Sequence, residues 1–145
     1  MSSAHPYSPA FAVGDLAFVS GALSVDADGR AVTGRVQALV AATERLTERL
    51  ATVDMELADV VKTTYFVTDV SLRDEANAHY EEIFDVPRPA RSFVEVSRLP
   101  YGASVEIEAI AHRGRRASTS PTTSRTTVRP DRGGDDAAGQ REEDQ

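Results

Sequence analysis

The residues able to build a hydrophobic core are confined to the first 113 positions of this 145-residue chain. Beyond Arg113 there is no aromatic residue, and the only apolar side chains are those of Ala117, Val128, Ala137 and Ala138. Such a segment cannot bury enough apolar surface to offset its chain entropy, so residues 114–145 are predicted to be a disordered tail, rich in Ser, Thr and Arg first and acidic last. A docking or regulatory role for this tail stays open. Residues 1–113 form the predicted domain, and cores this small often go with oligomerisation.

Charge and residue content argue against several function classes. The predicted domain holds 10 Lys/Arg against 17 Asp/Glu, whereas proteins that bind nucleic acid usually present a basic face. No apolar run reaches the roughly 18–20 residues of a membrane-spanning helix, and the N-terminus lacks the layout of a secretory signal. We therefore expect a soluble cytoplasmic protein that has neither nucleic acid nor membrane as a partner.

Signatures of metal and cofactor chemistry are also missing from the sequence. The chain has no cysteine, and its three histidines, His5, His79 and His112, are too scattered to predict a metal site. No glycine-rich phosphate loop follows a strand, and neither GxSxG nor SxxK occurs. The sequence therefore predicts neither a zinc or iron site nor nucleotide-dependent catalysis.

Apolar periodicity predicts an α+β domain in the order ββαβαββ, with two helices on one face of a mixed sheet. The predicted strands are Ala10–Val13, Leu16–Leu23, Val60–Val67, 91–99 and 104–111. Gly14 and Asp15, between the first two strands, are typical of a hairpin. The first helix is predicted to start from Thr33 as N-cap, and the second from a capping box of Ser71 and Asp74.

In the first helix, apolar residues recur at steps of three, four and seven. They predict one buried stripe of Val36, Leu39, Val40, Leu46, Leu50 and Val53. The other face is predicted to be solvated and includes Glu44, Arg45, Glu48 and Arg49.

Several polar residues inside or beside apolar strands are candidates for chemistry. Glu106 and Glu108 lie two residues apart in one strand, so both project from the same sheet face. The simplest interpretation of this pattern alone is a solvent-exposed face. Arg91 opens the preceding strand, where it is either a surface residue or a bidentate clamp for a carboxylate. Tyr7 either anchors the N-terminus or faces a ligand. Ser20 and Gly21 indicate either a β-bulge or a place where a neighbouring segment or a ligand approaches the backbone closely.

Taken together, these residues resemble the RidA/YjgF family of reactive-intermediate deaminases, which act on 2-iminobutanoate and 2-iminopropanoate. The most specific segments are residues 89–100 (PARSFVEVSRLP) and residues 105–111 (VEIEAIA). Supporting segments are residues 6–8 (PYS), 19–21 (VSG), 60–64 (VVKTT) and 77–81 (NAHYE). The resemblance spans about residues 5–113.

The resemblance implies a chorismate-mutase-like fold that assembles as a homotrimer around a central barrel, with pockets between subunits. It implies an enzyme, a hydrolase acting on C–N bonds, that converts 2-enamine and 2-imine acids into 2-keto acids and ammonia without a cofactor. Arg91 would grip the substrate carboxylate, Glu106 would orient or deprotonate the water, and Tyr7 would contact substrate at the pocket rim. The lining would be completed by Ser20, Gly21, Asn77 and Phe93. Glu108 is assigned a structural role.

The chain departs from the family pattern at two places near the implied pocket. Ala22-Leu23-Ser24 replaces a common Gln-Ile/Leu-Pro, and Phe93 stands where the family often has a small residue or cysteine, which predicts a narrower pocket. Two alternatives therefore stay open. One is a relative recruited to a different amine, imine or carbonyl intermediate; the other is a trimeric ligand-binding or chaperone-like protein without turnover.

Overall fold

The computed structural model describes residues 5–115, which form five strands and two α-helices. The strands are β1 (Ala10–Val13), β2 (Leu16–Leu23), β3 (Val60–Val67), β4 (Ala90–Glu95) and β5 (Val105–His112). The helices are α1 (Arg35–Ala51) and α2 (Arg73–Ile83), with short 3-10 turns at Leu57–Asp59, Val70–Leu72 and Pro100–Gly102. The predicted α+β order ββαβαββ is confirmed.

All five strands lie in one mixed sheet with the order β1-β2-β5-β3-β4. The β1–β2 pair is the predicted hairpin, with Val13 opposite Leu16 and Gly14 in a left-handed conformation at φ 58°. Strands β3 and β4 are parallel, while the other neighbouring pairs are antiparallel. A parallel pair needs a crossover connection, and α2 supplies it between β3 and β4.

The core lies between the sheet and the two helices. Alternate strand residues such as Ala17, Tyr65 and Ile107 are buried against the helices, and we call this side of the sheet the helix face. Helix α1 contacts β2, β5 and α2, so both helices cover this one face. The opposite side, the open face, exposes Phe11 by 62% and Phe18 by 48%, although the two side chains pair across β1 and β2.

The buried stripe of α1 differs from the predicted one. The helix begins at Arg35, with Gly34 rather than Thr33 as N-cap. The buried stripe consists of Ala38, Leu39, Ala42, Thr43, Leu46, Arg49 and Leu50. Its small residues let the helix approach the sheet closely. Val36 and Val40 are exposed because they lie outside the stripe, and Arg49, predicted to be solvated, is only 8% exposed.

Three other elements have boundaries that differ from the predicted ones. The predicted capping box of Ser71 and Asp74 is wrong: a 3-10 turn precedes α2, and the Asp69 carboxylate accepts the Ser71 backbone N–H at 2.9 Å. Strand β4 stops at Glu95 instead of residue 99, because β3, its one neighbour within residues 5–115, ends at the paired residue Val67. Strand β5 starts and ends one residue later than predicted.

The C-terminal end of the described chain stays attached to the domain. Arg115 donates from Nη1 to the backbone oxygen of Ala58 at 2.9 Å. From residue 116 onward, the tail predicted for residues 114–145 lies outside the described residues. Within residues 5–115, neither helix is long and apolar enough to cross a lipid bilayer.

Candidate functional site

Arg91 lies near the start of β4, opposite Thr63 of β3, and projects from the helix face. Its Nη2 donates a hydrogen bond to Oδ1 of Asn77 in α2. Its Nη1 is buried and finds no hydrogen-bond acceptor among residues 5–115. The guanidinium is therefore half-buried with part of its hydrogen-bonding capacity unused.

Three aromatic rings surround this guanidinium. The Cζ atom of Arg91 lies 5.2 Å from the ring centroid of Tyr65, 4.9 Å from that of Tyr80 and 5.1 Å from that of Phe93. These distances fall within the range of cation–π attraction. The ring of Phe93 also stacks on that of Tyr65, with 5.9 Å between centroids. The side chain of Arg91 thus has a defined position before any ligand binds.

The electrostatics of Arg91 favour an external anion. Burial lowers the pKa of Arg91 from its ordinary value, the main cause being desolvation of the cation. Within residues 5–115, the ion pairs closer than 4.0 Å are those of Arg35, and none includes Arg91. A half-buried guanidinium without a carboxylate partner is well suited to bind one from a ligand.

Glu106 projects from the open face of β5. It pairs with Phe66 of β3 and Leu23 of β2, whereas its neighbour Ile107 is buried on the helix face. Its carboxylate lies directly over Gly21, where a Cβ atom would come within 1.8 Å of Glu106 Oε1. Gly21 sits in a bulge of β2 between Val19 and Ala22. The glycine thus supplies the space that the carboxylate occupies.

The N-terminal segment is tied to the same bulge. The hydroxyl of Ser20 donates to the backbone oxygen of Ser8 at 2.7 Å, and the Ser20 N–H donates to that of Pro9 at 2.9 Å. Tyr7, which directly precedes this segment, is half-exposed and stacks on the ring of His5. Tyr7, Ser20, Gly21 and Glu106 therefore belong to one region, which we call the Glu106 group.

Proton affinity is raised at Glu106. Burial is the main cause of its raised pKa, the neighbouring charge of Glu108 adds to it, and the positive charge of Arg49 opposes it. A carboxyl whose pKa is raised toward the working pH is a better general base or acid than an ordinary surface glutamate.

One chain does not bring the two parts of the predicted site together. Arg91, Asn77 and Phe93, the Arg91 group, lie at the β4 edge on the helix face. Glu106 is two strands away, on the other side of the sheet. Neighbouring strands lie about 4.8 Å apart, so the separation is about 10 Å across the sheet, in addition to the sheet's own thickness.

Sequence reasoning missed Tyr65 and Tyr80 as neighbours of Arg91. Their strand and helix were predicted, but their approach to Arg91 depends on the parallel register of β3 and β4 and on the packing of α2, which local periodicity does not encode. No group of three or more His, Asp or Glu side chains that could hold a metal ion occurs within residues 5–115.

Comparison with known proteins places these residues in a family context. The family model described as Endoribonuclease L-PSP matches residues 1–113. A RutC family protein of Pyrococcus abyssi is 38% identical over 113 residues, covering 74% of this chain and 87% of the relative. The 2-iminobutanoate/2-iminopropanoate deaminase of Escherichia coli is 40% identical over 116 residues, covering 74% and 88%. The crystal structure of the YjgF gene product of E. coli superimposes with a TM-score of 0.69 at 32% identity, covering 77% and 91%.

Proposed function

Because the chain belongs to the RidA/YjgF family, whose model is described as Endoribonuclease L-PSP, we propose that it hydrolyses 2-imino acids and their enamine tautomers to 2-keto acids and ammonia. Arg91 binds the substrate carboxylate and Glu106 activates the attacking water. The scheme requires no metal or cofactor. The net charge of −7 disfavours a nucleic-acid substrate.

The observation that carries the proposal is the unpaired, half-buried guanidinium of Arg91. A cation in this position costs desolvation energy, which a bound carboxylate would offset through two parallel charge-assisted hydrogen bonds. Binding the carboxylate fixes the adjacent C=N carbon, so that positioning supplies much of the rate enhancement.

The chemistry then needs one water and one proton-transfer group. An enamine first gains a proton on its β-carbon and loses one from its nitrogen, which gives the imine. Glu106 accepts a proton from water as the water oxygen bonds to the imine carbon and the C=N π electrons move to nitrogen, and the protonated Glu106 then returns that proton to the nitrogen. The tetrahedral intermediate expels ammonia as its hydroxyl proton passes, by way of Glu106, to the leaving nitrogen and the C=O bond forms. The raised pKa of Glu106 suits this exchange.

Since the two residues face opposite sides of the sheet, we propose that each active site is shared between two copies of the chain. The open face offers an apolar contact surface that includes Phe11, Val13, Leu16 and Phe18. A homotrimer that packs these faces into a central barrel would place the Arg91 group of one copy against the Glu106 group of its neighbour. Tyr7 would then lie at the rim of the shared pocket.

Subunit complementation tests this arrangement. Arg91→Ala and Glu106→Gln are each expected to keep only a small residual activity alone. In mixed assemblies of the two variants, about a quarter of the subunit contacts join an intact Arg91 to an intact Glu106, so about a quarter of wild-type activity should return. The matched control is co-expression of either single variant with the double variant Arg91→Ala/Glu106→Gln, which should restore no activity. Purified mixed assemblies without recovered activity would contradict a shared site.

A narrower substrate range is the second candidate, favoured by the position of Phe93. Its ring packs against both Arg91 and Tyr65, so it occupies space next to the predicted carboxylate position. Comparing imines derived from serine and threonine with one bearing a bulky side chain would separate a general deaminase from a specialised one.

A further inference from the structure

The half-buried guanidinium of Arg91 is held by aromatic rings where a buried cation ordinarily has an acidic partner. Buried cations in proteins are usually paired with carboxylates, because an unpaired buried charge is costly. The groups that face Arg91 are the Asn77 amide, the more distant positive charge of Arg73, and the rings of Tyr65, Tyr80 and Phe93. We call these three rings the ring cradle.

A ring and a carboxylate stabilise a cation with different consequences. The negative face of an aromatic ring attracts the guanidinium but carries no net charge and does not occupy its N–H fork. A carboxylate partner would neutralise Arg91 and accept the hydrogen bonds that a substrate carboxylate needs. Burial raises the pKa of both tyrosines, so their phenols stay protonated and the cradle stays neutral.

We propose that the ring cradle acts as a neutral substitute for a counter-ion, so that Tyr65, Tyr80 and Phe93 are positioning residues. They keep Arg91 oriented, charged and without an internal carboxylate partner, so that it can bind the carboxylate of a 2-imino or 2-keto acid. This inference rests on the proposed function, because it assigns the reason why Arg91 can serve as its carboxylate clamp.

The cradle is anchored independently of Arg91. The hydroxyl of Tyr80 donates to the backbone oxygen of Pro89 at 3.1 Å and shares a hydrogen bond with Thr63 Oγ1 at 2.9 Å. Tyr65 is 1% exposed and fixed by the core, while Phe93 is only partly buried. Phe93 is therefore the ring that can be replaced with the least risk to folding.

The test measures binding of 2-oxobutanoate, an unreactive 2-keto acid, to the full chain by calorimetry. Phe93→Leu should weaken binding about fivefold, the effect expected of one cation–π contact. The decisive pair is Phe93→Glu against Phe93→Gln. The glutamate supplies an internal counter-ion, so it should bind at least about tenfold more weakly than the isosteric glutamine. Lowering the pH until the new carboxyl is protonated should remove that difference.

Two further variants separate a positioning role from a structural one. Tyr65→Phe keeps the ring and should retain binding. Phe84→Leu truncates a buried aromatic that contacts Tyr80 but is not among the rings around Arg91, so it should lower stability while the dissociation constant stays unchanged.

The outcomes distinguish a failure of the ring-cradle proposal from a failure of the proposed function. Equal affinities for Phe93→Glu and Phe93→Gln, with wild-type binding still lost in Arg91→Ala, would overturn the cradle and leave the carboxylate clamp standing. If wild type and Arg91→Ala bind 2-oxobutanoate equally, the clamp itself fails, and the cradle falls with it.

Discussion

Replacing Gly21 by alanine should disable Glu106 without disturbing the fold. The new Cβ would lie 1.8 Å from Oε1 and 2.7 Å from Cδ of Glu106, whereas Cβ contacts under 3.0 Å essentially never occur. The carboxylate oxygen must therefore move by at least about 1.2 Å. The atoms that clash belong to the end of a flexible side chain, and Gly21 does not need a positive φ, so the backbone can stay in place.

A displacement of that size should reduce kcat by about 100-fold, because an error of about 1 Å in a catalytic group costs that much. The loss corresponds to about 2.7 kcal/mol of transition-state stabilisation. KM should change little, because the substrate carboxylate is bound by Arg91, which the substitution does not alter. Steady-state keto-acid release, with the melting temperature measured in parallel, gives both quantities.

Two controls isolate the effect. Gly29→Ala places a side chain at φ +76° with nothing within 4 Å, so it should cost about 1 kcal/mol of stability and leave kcat intact. If Gly21 acts only through Glu106, the double variant Gly21→Ala/Glu106→Gln should be no slower than Glu106→Gln alone. A folded Gly21→Ala protein with wild-type kcat would refute this reasoning.

Four further outcomes follow from the structure. Arg91→Lys keeps the charge but loses the planar fork, so kcat/KM should fall about 100-fold with an unchanged melting temperature; an active lysine variant would argue against bidentate binding. Because burial raises the pKa of Glu106, the rate should fall as pH drops through a value above that of an ordinary glutamate, and Glu106→Gln should remove this acid limb from the pH–rate profile. Phe18→Glu places a charge on the open face and should dissociate the proposed trimer in sedimentation experiments, with loss of activity; a trimer that stays intact would show that the open face is not its interface. Deleting residues 116–145 should leave assembly and kcat unchanged, and a loss of either would assign the tail a role.

Structural predictions that depended on a local sequence pattern were confirmed. The hairpin around Gly14, strand β3 and the shared face of Glu106 and Glu108 depend on turn chemistry and on a period of two, which a single segment contains. The extent of β4 was wrong because it depends on where a neighbouring strand ends. The burial of Arg49 was not predicted because the buried stripe of α1 includes alanines, so the large apolar side chains alone do not define it.

The candidate residues could be proposed from the sequence, but their arrangement in the fold could not. Whether Arg91 and Glu106 face the same side depends on the registers that connect β4, β3 and β5, and these are long-range properties. The same holds for the approach of Tyr65 to Arg91. These contacts place the residues of the predicted single pocket in two groups on opposite sides of the sheet of one chain.

Keto-acid release in a coupled assay tests imine hydrolysis by this protein most directly. A threonine dehydratase generates the short-lived imines from serine or threonine, and wild-type protein, Arg91→Ala or buffer is added. If the chain hydrolyses imines through Arg91, only the wild type accelerates keto-acid formation. Equal rates in all three reactions, with a folded and trimeric wild type, would contradict general imine hydrolysis and the role of Arg91 in it.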